Sequence, residues 1–174
     1  MSKIIPPSTA FDDGIVLLQG WPEYLNGKPH SGIDIYAQSY RGHKPRATED
    51  GEIVDVIVGN AKKVSCIVLE VESTKDRLEY KHCTAKVKIG QTVCAGDILG
   101  VLNDSGKDSG WWQGYHLHFG IRECPTYEAN GDPIIYFLHA MPDMVFYARK
   151  NIVKYYKKKN YYELMTFKPI PWEV

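Results

Sequence analysis

Gly51-Glu-Ile-Val-Asp-Val-Ile-Val-Gly59 and Val64-Ser-Cys-Ile-Val-Leu-Glu-Val-Glu72 are two short, β-branched apolar runs set between glycine and charged residues. Each is too short for a helix with a buried face and is rich in valine and isoleucine, so both read as strands. Gly14-Ile-Val-Leu-Leu18 reads the same way. Further along, Val87-Lys-Ile-Gly90-Gln-Thr-Val-Cys-Ala-Gly96-Asp-Ile-Leu-Gly100 has glycines placed to turn the chain tightly between short apolar strands, a hairpin-like corner. Strands at this spacing predict a mainly β chain, with an antiparallel sheet folded as a sandwich or open barrel.

The whole chain supports one domain. Its 174 residues are enough to bury a sizeable core. With 21 acidic and 21 basic residues the formal net charge is zero, which argues against nucleic acid as a partner. No apolar run approaches the roughly 20 residues of a membrane span, and Met1-Ser-Lys-Ile-Ile-Pro-Pro7 lacks the apolar stretch of a secretory signal. The expectation is synthesis in the cytoplasm without a signal peptide. Cys66, Cys83, Cys94 and Cys124 form no C-x-x-C pair, so they are expected to be reduced, buried thiols rather than a zinc ribbon or a disulfide framework.

The chemistry concentrates in two motifs, His30-Ser-Gly-Ile-Asp34 and His116-Leu-His118. On an extended segment alternate side chains share a face, so His30 and Asp34 point one way, as do His116 and His118. Zinc takes nitrogen and carboxylate ligands, and a catalytic site keeps one of four positions open. Four candidate ligands for three places leave one histidine spare. Between the motifs, Glu79-Tyr-Lys-His82 follows a strand-like stretch and offers a further polar group. Each motif alone is common, and a single histidine is more often a structural residue than a ligand; together they point to a metal site.

In its order of motifs the chain resembles the lysostaphin/LytM-type zinc endopeptidases, which cut peptide bonds in bacterial peptidoglycan. Those proteins show H-x-x-x-D, a glycine-led strand, Tyr-x-His, a glycine-punctuated corner and His-x-His-Phe. Here these are His30 to Asp34, Ala47-Thr-Glu-Asp-Gly51-Glu-Ile-Val54, Tyr80-Lys-His82, Lys88 to Gly100, and His116-Leu-His-Phe119. The resemblance spans roughly Phe11 to Cys124. It implies a lysostaphin-like core, zinc as cofactor, and His30, Asp34 and His118 as its ligands. It also implies that His82 and His116 flank the attacking water as catalytic bases or acids, roles suited to a group that titrates near neutral pH. Tyr24, six residues before His30, is a candidate hydrogen-bond donor to the oxyanion, and Trp112 a candidate substrate-binding residue on the loop before the histidine pair.

The expected partner is peptidoglycan peptide, reached after lysis, by non-classical export or within a phage particle, with phage tail or lysis proteins as possible companions. The alternative is a non-catalytic wall-binding or phage structural module that retains the fold. Two family-level analogies carry less. The glycine cadence is shared with lipoyl and biotinyl domains, but no Met-Lys turn accepts their cofactor here, and the Asp34 ligand argues against a sugar-phosphotransferase-like domain using paired histidines. Cys83, beside His82, departs from the usual pattern; on a strand it would face away from the site. His43 and His139 match no motif.

Residues 1–141 are expected to form the peptidase core, and 142–174 a helical, basic, tyrosine-rich extension packed on it. After Pro142, apolar residues from Asp143 to Lys159 recur at roughly helical spacing. From Arg149 onward the chain has seven Lys or Arg, two Glu and four Tyr. That composition suits contact with an anionic polymer, and a solvated helix face accounts for it more simply.

Overall fold

The computed structural model describes residues 6–7, 14–20, 24–25, 27–36, 44–109, 114–123, 133–134, 137, 143–159 and 162–170. Nine of its strands share one sheet: β1 (Gly14–Gln19), β4 (Gly32–Tyr36), β5 (Gly51–Ile57), β6 (Cys66–Val71), β7 (Arg77–Lys81), β9 (Thr92–Val93), β11 (His116–Glu123), β12 (Val145–Ala148) and β13 (Thr166–Pro169). Their order across it is β13-β12-β1-β4-β11-β7-β6-β5-β9. Two small ribbons stand beside it among the described residues: β2 (Tyr24–Leu25) with β3 (Lys28–Pro29), and β8 (Cys83–Ala85) with β10 (Gly100–Leu102).

The chain is mainly β, and the valine- and isoleucine-rich runs at residues 51–59 and 64–72 form β5 and β6, antiparallel partners from Gly51↔Val71 to Ile57↔Cys66. All pairings from β1 to β9 across the sheet are antiparallel. The sheet becomes mixed at its other edge, where β12 pairs parallel with β1 and β13 parallel with β12. The predicted helix after Pro142 is split. Phe146 and Ala148 alternate inward against Val145 and Tyr147, the period-two pattern of a strand, and helix begins only at Lys150, running to Tyr156. Ile152 and Tyr156, four apart, form the buried stripe of that helix.

The corner is also built differently from a simple hairpin: β9 pairs with β5 and β10 with β8. Gly90 and Gly96, at φ 81° and 101°, make its two turns in a backbone region that side chains with a Cβ rarely adopt.

Strict alternation divides the sheet into a dry face and a chemical face. Ile33 and Ile35, Leu78 and Tyr80, and Leu117, Phe119 and Ile121 enter the core from β4, β7 and β11. Asp34, then Glu79 and Lys81, then His116, His118 and Arg122 are the intervening residues on the same strands, so they share the opposite face. Burying a Leu, Ile or Phe side chain is worth about 1.5–3 kcal/mol. The apolar residues on these three strands therefore fix the register on which the polar ones depend.

Cys66 and Cys83 are buried free thiols as expected, whereas Cys94 is free but exposed; Cys124 lies outside the described residues. Among the described residues no helix is long and apolar enough to cross a membrane.

Candidate metal centre

Antiparallel register assembles the centre. His118 on β11 lies directly opposite Asp34 on β4, and His116 opposite Tyr36. His30 stands just before β4 and reaches the same point. His30 Nε2, Asp34 Oδ1 and His118 Nδ1 form a triangle with sides of 3.0 and 3.1 Å. In a tetrahedral zinc site with bonds of about 2.0–2.1 Å, ligand atoms stand roughly 3.3 Å apart, close to this triangle.

The protonation pattern favours a cation at its centre. The carbonyl of Gly20 accepts a hydrogen bond from His30 Nδ1 at 3.0 Å, so in the neutral ring Nε2 carries a lone pair. That lone pair faces a carboxylate oxygen at 3.1 Å. One proton on His118 Nδ1 serves only one of these two acceptors, while a metal ion serves all three. Burial works to raise the pKa of Asp34, but its close contacts with His118 and His30 and the nearby His116 outweigh it and hold the carboxyl well below its ordinary range. Burial lowers His118, more than Asp34 raises it. An ionised carboxylate with neutral imidazoles is the state in which these groups bind metal.

His82 reaches the centre by an irregularity. In β7, Tyr80 faces the core and Lys81 the chemical face, so continued alternation would send His82 inward. Instead His82 has φ +62°, in the left-handed region, and its ring centroid lies 4.5 Å from that of His116. Its amide donates to Ser65 O at 3.1 Å and its carbonyl accepts from Asn103 N at 2.8 Å, which clamps the strained residue in place. Nδ1 of His82 donates to Ser105 O at 2.8 Å, and Nδ1 of His116 to Gly114 O at 2.7 Å. Each ring thus turns Nε2 away from the carbonyl that holds its Nδ1, and His116 Nε2 is 3.5 Å from Asp34 Oδ1. Burial and the neighbouring His116 push His82 down to about 4, so it is neutral at pH 7 and able to accept a proton.

A second layer of side chains supports His30, Asp34 and His118. Ser31 Oγ lies 3.2 Å from His118 Nε2, and Lys81 Nζ lies 3.5 Å from that hydroxyl and 2.8 Å from Glu79. Arg122 Nε donates to Glu79 at 2.6 Å and its Nη1 to Asp55 at 3.4 Å. Gln19 lies opposite Asp34 in the β1–β4 register and is buried. A cleft of about 320 Å3 opens over the centre, lined by Gln19, Lys28, Pro29, Ser31, Val64, Lys81, Ser109 and the five residues already named.

The five residues predicted from the motifs, His30, Asp34, His82, His116 and His118, therefore meet in one cleft. Trp112 and the side chain of Tyr24 lie outside the described residues, as do His43 and His139. Gln19, Ser31 and Lys81 were not singled out from the sequence; only the position of Ser31 between His30 and Asp34, and of Lys81 between Tyr80 and His82, pointed to two of them. Cys83 faces away from the centre: its thiol donates to Tyr80 O at 3.1 Å, and burial raises its pKa.

Residues 28–134 match the sequence model of peptidase family M23. No curated protein matches the chain. Among solved structures, the catalytic domain of the antimicrobial peptidase lysostaphin from Staphylococcus simulans is 23% identical with a TM-score of 0.54, the match covering 70% of this chain and 91% of that one. The longer lysostaphin structure gives 22% identity and a TM-score of 0.61 over 81% of this chain, which spans 55% of that protein's length. The catalytic domain of the prophage-encoded M23 protein EnpA from Enterococcus faecalis, solved as a point mutant, is 24% identical, with a TM-score of 0.50, over 64% of this chain and 84% of that one. These likenesses establish a lysostaphin-like fold.

Proposed function

The chain belongs to peptidase family M23, and from that premise we propose a zinc-dependent endopeptidase that hydrolyses peptide bonds in bacterial peptidoglycan. The observation that carries the reading is the convergence of His30 Nε2, Asp34 Oδ1 and His118 Nδ1 at 3.0–3.1 Å beside a second pair of histidines.

His30, Asp34 and His118 hold the ion in this scheme. Zinc bound there supplies a Lewis acid that polarises an amide carbonyl and makes a water acidic near neutral pH. Everything else is work for the chain. His82 and His116, each fixed in one tautomer by a backbone carbonyl, take the proton from water on Nε2 and later return one to the leaving amine. The depressed basicity of His82 suits it to giving that proton up again. Ser31 and Lys81 keep the His118 ring in orientation through its outer nitrogen, an arrangement that tunes metal ligands generally. Tyr24 and Trp112 remain proposed contacts to oxyanion and substrate.

Elemental analysis and a cell-wall turbidity assay test the reading together. Wild type is expected to carry about one zinc per chain, the stoichiometry of a three-ligand catalytic site, and to release new amino groups from cell walls. His118→Ala should lose both. His82→Ala should keep the metal and lose about 10²- to 10⁴-fold in turnover, the usual worth of a general acid or base. A His118→Ala protein that still clears cell walls would overturn the ligand assignment, and wall binding without new amino groups would point to a binding module.

A further inference from the structure

The first ligand is oriented by a backbone atom, and that backbone is held from behind by the C-terminal segment. His30 Nδ1 donates to the carbonyl of Gly20, which directly follows β1. Against Gly20 lies the ring of Tyr156, so close that a Cβ built on this glycine would stand 2.9 Å from both Cε2 and Oη of the tyrosine. Tyr156 is fully buried, with the Phe167 ring of β13 at a centroid distance of 5.9 Å. The helix bearing it begins after β12, whose residues Tyr147 and Ala148 pair with Val16 and Leu17 of β1. Strand pairing thus fixes the height of β1, and Tyr156 fixes the chain where β1 ends. None of these bracing residues lies within 28–134, the part of the chain that matches the family.

We propose that Tyr156 is a positioning residue for the metal centre: by seating on Gly20 it sets the carbonyl that orients His30, so the C-terminal segment is a working part of the site. This rests on the reading of His30 as a ligand. Gly20 has no positive φ, and the three atoms nearest to a Cβ there all belong to the Tyr156 side chain, so the pair can be probed from either side.

The test uses the full chain, purified metal-free, with zinc alone as probe. Gly20→Ala and Tyr156→Leu are expected to weaken zinc binding about 10- to 100-fold, the range for loss of an outer partner of a ligand. In the metal-free protein, the 15N shifts of the His30 ring should move away from a single Nδ1–H tautomer. Val93→Ala, a core truncation on the opposite edge of the sheet, should lower the melting temperature and leave both readouts unchanged. If Tyr156→Leu does not fold, Gly20→Ala decides. Variants that keep wild-type affinity and wild-type His30 shifts overturn the proposal, as does equal weakening by Val93→Ala. A wild type that binds no zinc would sink the ligand reading instead, and the His30 shifts alone would then decide whether Tyr156 acts through Gly20.

Discussion

Gly32→Ala should damage the candidate metal centre more than Gly120→Ala on the strand opposite. Gly32 sits between His30 and Asp34 on β4, opposite Gly120 of β11. A Cβ there would stand 2.4 Å from Phe119 O, 2.7 Å from His118 Nε2 and 2.9 Å from the Phe119 carbonyl carbon. Ordinary carbon–oxygen contact needs roughly 3.3 Å, so the strands must part by about 0.9 Å or the His118 ring must swing, since neither obstacle is a flexible chain end. Overpacking of this kind costs about 1–3 kcal/mol, or a melting point lower by roughly 2–12 °C for a chain this long. The same displacement opens a triangle whose sides are now 3.0–3.1 Å. Zinc affinity should fall by about 10- to 100-fold or more. Gly120→Ala is the graded comparison, because its Cβ would meet Ser31 O at 3.0 Å, with Glu79 Oε2 and His118 Nε2 at the ordinary contact distances of 3.5 and 3.6 Å, and should cost visibly less on both measures. Thermal melts and competitive zinc titration of the two variants suffice. A Gly32→Ala protein with wild-type melting and zinc affinity would refute the claim that close strand approach sets the ligand geometry.

Acid should destabilise the metal-free protein well above the range where carboxylates titrate. His82 is held down to about 4, against 6.5 for the free side chain. Below pH 6.5 the unfolded chain takes up a proton that the folded one refuses, so stability falls as pH drops toward 4 and levels off beneath it. The full loss is about 3 kcal/mol. Chelator-treated wild type should show this slope in melts between about pH 7 and 4, and His82→Ala should lack that share of it; identical slopes would contradict the burial of a neutral ring. Thiol chemistry offers a separate check. Burial pushes the Cys66 thiol up to about 12 and raises Cys83 as well, so of the three described cysteines only the exposed Cys94 should react with a thiol reagent in the folded protein. Loss of activity in Cys83→Ala without loss of stability would reopen a role for that thiol.

The candidate site was legible because strand alternation and cross-strand register are both written in side chains. Leu117 and Phe119 bury themselves, and His116 and His118 have no choice of face; Ile33 and Ile35 do the same for Asp34. What escaped the sequence is carried by backbone. No residue type marks the carbonyls of Gly20, Ser105 and Gly114 that set three histidine tautomers, because any residue supplies a carbonyl. The left-handed turn at His82 was equally silent, being imposed by the Ser65 and Asn103 backbone clamps rather than by glycine. The strand Val145–Ala148 hid inside a pattern whose apolar residues also fit a helix, and only its pairing with β1 decides the matter.

That pairing has a consequence during synthesis. β4 follows β1 from the ribosome closely and can pair with it at once, but the other edge of β1 is completed only by residues 145–148. At ordinary translation rates the interval is on the order of ten seconds. Through it the nascent sheet carries an open, apolar edge strand, Gly14-Ile-Val-Leu-Leu-Gln19, ready to pair with any other extended chain. The late closing of that edge makes the yield of native protein a race between elongation and misassociation, and slower translation or truncation before residue 145 should tip it toward aggregation.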